Sequence, residues 1–152
     1  MKKIILSVLT IAITLIVSCG DKSKKENVDQ QPVKEEVTEV DPMKNKGIGP
    51  ITSVTLADEI DQDLAKQGAE VYTKMCSACH KPTKRFVGPA PAGILERRTP
   101  EWIMNMILNP DEMVQKDPIA KALLAEYLSP MANQNLTEEQ ARAVLEYFRT
   151  LK

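Results

Sequence analysis

Residues Cys76-Ser77-Ala78-Cys79-His80 constrain this chain more than any other feature, because they set two thiols three positions apart with the chain's single histidine directly behind them. Three chemistries compete for such a pair. A thioredoxin-like redox pair needs a strand–helix–strand setting, and no strand pattern surrounds these residues. A structural zinc needs four ligands, and no second Cys or His pair is present to complete the set. The C-x-x-C-H order is also the signature of covalent haem attachment: two thiols reach two vinyl groups on one edge of the ring, and the adjoining imidazole is brought beneath the iron. That reading makes Cys76, Cys79 and His80 the cofactor-binding residues, one haem c the cofactor, and His80 a metal ligand. Composition agrees with it. Aromatic residues are only 4% of the chain, so few large rings exist to fill a core, and a buried flat cofactor supplies that bulk.

The N-terminus carries a different message. Lys2 and Lys3 precede an uncharged apolar run over residues 4–17, the charged-then-hydrophobic layout of an export signal, and shorter than the roughly 20 residues a membrane span needs. It ends Leu15-Ile16-Val17-Ser18-Cys19-Gly20, which resembles the lipobox of bacterial lipoproteins. The resemblance implies a signal peptide over residues 1–18, cleavage before Cys19, and lipidation of the Cys19 thiol. Several acyl chains on one cysteine exceed what stable anchoring requires, so the mature protein is expected on the periplasmic side of a bacterial membrane. Residues 19–57 are rich in Lys, Glu, Asp, Gln and Val without a sustained period, and read as a charged, flexible tether.

With 152 residues there is room for one domain beyond these appendages, expected at 58–152. A net charge of −1 and the lack of a long basic run in that part leave no electrostatic footprint for nucleic acid. Capping signals predict about four helices and no strand, hence an all-α domain. Asp61 caps a helix running into Cys76, with Gly68 allowing another helix to approach closely. Thr99-Pro100-Glu101 opens a second helix that stops at Asn109-Pro110. Asp117-Pro118 opens a third that ends at Ser129-Pro130, and Thr137-Glu138-Glu139-Gln140 is a capping box for a fourth.

Taken in this order, residues 58–152 resemble the class I cytochrome c family. Gly68 and Tyr72 match its glycine and aromatic in the N-terminal helix, and Leu145, Tyr147 and Phe148 fall in the C-terminal helix that crosses it. Val87-Gly88-Pro89 resembles the loop whose proline carbonyl accepts a hydrogen bond from the proximal histidine, which implies that Pro89 orients His80. The family's second axial ligand is a loop methionine before the last helix, and Met131 stands there, although its proline precedes it instead of following. Met113 competes for that role; Met104 and Met106 lie within a helix and read as core filler. Trp102, Arg97 and Arg98 are candidates to bind haem propionates, against a plain reading as a packed indole and solvated arginines.

A His/Met-ligated iron has no open position, so the resemblance implies a one-electron carrier and not an enzyme. Its partners are then donor and acceptor redox proteins docking at the haem edge, with Lys74, Lys81, Lys84 and Arg85 steering them, and no small-molecule substrate. The family resembled includes carriers feeding terminal oxidases and denitrification reductases, and residues 102–118 bear some likeness to the nitrous-oxide-respiration group. The alternative, a haem-based gas or redox sensor, needs a displaceable sixth ligand. A peroxidase-like enzyme needs an open iron and a distal acid such as Glu112.

Overall fold

Asp61 Oδ1 accepts the Leu64 amide at 2.9 Å and starts α1 (Gln62–Met75) where the sequence places it. Thr99 caps α2 (Pro100–Leu108) through the Trp102 amide at 3.1 Å, with Pro100 in the first turn. Asp117 caps α4 (Pro118–Tyr127), which closes on Leu128 in the left-handed region, φ 54°. The capping box of α5 (Glu138–Arg149) is fully formed: Thr137 Oγ1 accepts the Gln140 amide at 3.2 Å, and Gln140 Oε1 accepts the Thr137 amide at 2.9 Å. The computed structural model describes residues 40–152, and these are helical without strands. The expected signal peptide, Cys19 and the tether up to residue 39 lie outside the described residues. No described helix is long and apolar enough to cross a membrane.

Two expectations need correction. The first is the helix count, expected at about four and found to be five among the described residues, because residues after Asn109 fold into α3 (Pro110–Lys116). Asn109-Pro110 does end α2, but a proline that stops one helix is equally suited to the first turn of the next, where its missing N–H costs nothing. The second is the tether. Residues 41–57 are a packed strap, so the folded unit begins by Asp41 and not at Asp58. Asn105, on α2, serves the strap as a strand neighbour would: Oδ1 accepts the Ile51 amide at 2.9 Å, while Nδ2 donates to the carbonyls of Ile51 and Lys46, both at 2.9 Å. Asn109 Nδ2 donates to the Ile48 carbonyl at 3.2 Å, and the Ile48 amide donates to Met113 Sδ at 3.0 Å. Ile51 is thereby buried in the core.

The helix pair α1/α5 is the most extensive contact in the fold. It depends on Gly68: a Cβ there would lie 1.9 Å from the Ala143 carbonyl oxygen, so only glycine lets the two backbones touch. Val144, Leu145 and Phe148 of α5 pack with Tyr72 of α1, each fully buried aliphatic side chain contributing about 1.5–3 kcal/mol. Behind this seam Glu146 is buried, and it accepts from the Asp61 amide at 3.0 Å, Arg142 at 2.5 Å and Arg149 at 2.6 Å. Burial works against its charge, but these donors and the two guanidinium charges outweigh burial and hold its pKa below the ordinary value. Arg149 also donates to the carbonyls of Ala57 at 2.6 Å and Asp58 at 3.2 Å, fixing the end of the strap.

Candidate haem site

The C-terminal turn of α1 delivers the attachment motif. Cys76 caps the helix, its amide on the Tyr72 carbonyl at 2.9 Å, and the Cys79 and His80 amides both return to the Cys76 carbonyl at 3.1 and 2.9 Å. The motif is thus a closed turn with both thiols free of disulfide. Tyr72 O–H donates to the His80 carbonyl at 2.7 Å and anchors the turn from inside the core. Burial pushes the Tyr72 phenol up to about 12. Burial, helped by Cys79, likewise pushes the Cys76 thiol up to about 11.

His80 Nδ1 lies 2.8 Å from the Pro89 carbonyl oxygen. A carbonyl only accepts, so Nδ1 carries the proton and Nε2 keeps its lone pair for a metal. Gly88 makes room for this ring: a Cβ there would meet His80 Cε1 at 2.4 Å. The Gly88 amide on the Cys79 carbonyl, at 2.9 Å, folds the loop back onto the motif.

His80 and Met131 stand in the wall of one cavity of about 250 Å³, whose other walls include Ile94, Ile103, Met106, Ile107 and Phe148. Both cysteines border the same cavity, so thiol, imidazole and thioether converge on a space lined chiefly by apolar side chains. This donor set and lining fit a haem attached at Cys76 and Cys79. Met113 is elsewhere: it is fully buried, its sulfur receives the Ile48 amide, and Gly47 of the strap sits against it. Among the described residues no three His, Cys, Asp or Glu side chains converge as a metal cluster.

The propionate candidates divide. Trp102 lines the cavity, but its indole N–H is donated to Asp117 Oδ1 at 3.0 Å, so it offers a ring face and not a donor. Arg97 is spent on the Ala92 and Ala90 carbonyls at 3.1 and 3.3 Å. Arg98 also borders the cavity, stacked 5.2 Å from the Trp102 ring centroid, and burial beside Arg97 lowers its pKa. Of the four residues expected to steer partners, Arg85 is paired with Glu126 at 2.5 Å and stacked 4.0 Å over Tyr127, and Lys81 reaches the Ser77 carbonyl at 2.7 Å. Lys74 and Lys84 remain exposed.

Sequence reasoning missed Met106 as a wall residue. Its face was readable: Trp102, Ile103, Met106 and Ile107 follow helical spacing, and Met104 turns to the opposite side. It also missed Asp117 and Asn45 behind Trp102, which share no local pattern with it.

Residues 65–152 match the family model described as Cytochrome c. The chain belongs to the cytochrome c family. Among solved structures it is similar to the cytochrome c from Rhodothermus marinus, at 46% identity and a TM-score of 0.66 over 67% of this chain and 88% of that one. An engineered form of that cytochrome, described as bound to a carbene intermediate, matches at 46% identity and a TM-score of 0.63, with the same coverage. No curated protein compared with the chain matches it. Membership of the family establishes a covalently attached haem c as the cofactor, the class I fold, one-electron transfer as the activity, and redox proteins as partners.

Proposed function

We propose that this cytochrome c is a membrane-anchored carrier on the periplasmic side of a bacterial membrane, passing single electrons between redox proteins of a respiratory chain. In this reading His80 and Met131 would be the two protein ligands that hold the iron. The supporting observation is that His80 and Met131 border the same cavity, while Met113, the competing sulfur, is engaged with the strap. Bound in that cavity, haem supplies one-electron gain and loss at its iron. The chain's own residues do the rest. Pro89 fixes the ring of His80 through Nδ1. Apolar side chains of α2 and α5 exclude water, and Lys74 and Lys84 leave positive charge near the exposed Cys79.

Anchoring rests on the lipobox-like run ending at Cys19. Fractionation of cells carrying Cys19→Ser tests it, with release of the haem-stained protein from membranes as the expected result. A variant that stays with the membrane contradicts lipid anchoring. Stopped-flow electron transfer to an acidic redox partner tests the docking surface. Lys74→Glu/Lys84→Glu should slow the second-order rate and flatten its salt dependence, and equal rates at low salt would place docking elsewhere.

A further inference from the structure

A carboxylate with no ion-pair partner among the described residues is buried beside the Trp102 indole, at Asp117, which is 2% exposed. Oδ1 accepts the Trp102 indole N–H at 3.0 Å and the Ala120 amide at 2.8 Å, and Oδ2 accepts Asn45 Nδ2 at 2.6 Å. Three donors around two oxygens suit the ionised form, which only accepts. Among the described residues no lysine or arginine forms an ion pair with it. Arg98, stacked on the Trp102 ring, feels the Asp117 charge but forms no ion pair with it.

Capping α4 does not require this charge. Serine, threonine or asparagine caps a helix about as well, and burying a carboxylate is costly. The strap maintains the burial. Thr99 Oγ1 holds the Asn45 carbonyl at 2.6 Å, the Gly47 amide closes on Asn45 Oδ1 at 2.8 Å, and Gly47 has φ +73°. A Cβ at Gly47 would lie 2.8 Å from Met113 Sδ and 3.3 Å from Trp102 Cδ1, so the turn seals the region without room for a side chain. A charge held away from water is weakly screened. Trp102 touches both sides: its indole N–H is donated to Asp117 and its ring lines the cavity.

We propose that Asp117 sets the reduction potential of the haem: its buried negative charge, covered by the Asn45 turn and lying behind Trp102, holds the potential down. Reduction adds one electron to the iron and lowers its net charge by one, with no bond broken and no proton moved. A nearby negative charge therefore disfavours the reduced state relative to the oxidised one. The inference rests on the haem filling the cavity lined by Trp102, and it goes beyond the carrier reading by assigning the residue that tunes it.

Midpoint potentials of full-length holoprotein variants test it, measured at fixed pH and ionic strength. Asp117→Asn keeps the shape and an accepting oxygen, and should raise the potential by about 59 mV, a tenfold change in the one-electron equilibrium constant. Asp117→Ser keeps a capping hydroxyl and should shift it the same way, which covers a folding failure of the first variant. Asn45→Ala admits water to the carboxylate and should give a smaller upward shift. Asp111→Asn removes an exposed acid of equal charge and should leave the potential unchanged. Folded Asp117 variants with the parent's potential would overturn the proposal. So would a shift accompanied by loss of the methionine–iron absorbance, because the potential would then follow the ligand. The parent's own reversible couple checks the carrier reading separately, before any variant is compared.

Discussion

Substituting Gly68 with alanine tests the packing that carries the attachment motif. The added methyl would sit 1.9 Å from the Ala143 carbonyl oxygen, 2.4 Å from its carbon and 2.9 Å from the Val144 nitrogen, all of them backbone atoms. No rotamer change can relieve the overlap, so α1 and α5 must separate. Overpacking typically costs 1–3 kcal/mol and occasionally more, and a clash against backbone belongs at the upper end, about 3–4 kcal/mol. Alanine returns about 1 kcal/mol of helix propensity relative to glycine. The net loss is then about 2–3 kcal/mol, or roughly 10–15 °C in melting temperature for a domain near 100 residues. Separation also pulls Phe148 from Tyr72, whose rings meet edge-on at 5.9 Å, and Phe148 borders the haem cavity. Thermal unfolding followed by far-ultraviolet circular dichroism, with Glu70→Ala on the exposed side of α1 as control, measures the effect. A Gly68→Ala protein within about 0.5 kcal/mol of the parent would refute the close-contact argument.

Further expectations concern charge, ligand and strap. Because the Glu146 pKa is depressed on folding, its stabilisation is present above the ordinary carboxylate value of 4.5 and fades as pH falls through the folded value. Glu146→Gln should therefore cost about 2–3 kcal/mol at neutral pH and progressively less in acid, and a loss independent of pH would contradict the assignment. Met113→Ala should cost about 2–5 kcal/mol while leaving the far-red sulfur-to-iron band of the oxidised protein in place, whereas Met131→Ala should abolish that band. The reverse pattern would reassign the ligand. Asn105→Ala strands the buried Ile51 amide and should speed proteolytic cleavage within residues 41–57, with unchanged cleavage arguing that the strap is held by other contacts.

Local features were legible in the sequence and distant pairings were not. Asp61, Thr99, Asp117 and the Thr137–Gln140 box each signal a helix start within four residues, and each cap is formed. The attachment motif is likewise contiguous, and the Gly88–Pro89 step follows it closely enough to be recognised by resemblance. Helix α3 escaped because one proline serves two helices. The strap escaped because its hydrogen bonds come from side-chain amides 54 to 61 positions away, which impose no period on the strap's own residues. The rivalry between Met131 and Met113 could not be resolved in sequence for the same reason: what removes Met113 from the cavity is the turn at Gly47 and Ile48. The sequence leaves Trp102 either a candidate donor to the cofactor or a packed indole, because the helix cap that takes its N–H lies fifteen positions on.

The proposed carrier would hold its haem iron through His80 and Met131 and gain and lose one electron. An optical redox titration of the full-length holoprotein tests it most directly. One reversible, single-electron transition is expected, with the far-red sulfur-to-iron band present in the oxidised protein and lost on reduction. An oxidised spectrum of the high-spin type without that band, or a ferrous form that binds carbon monoxide readily, would contradict it.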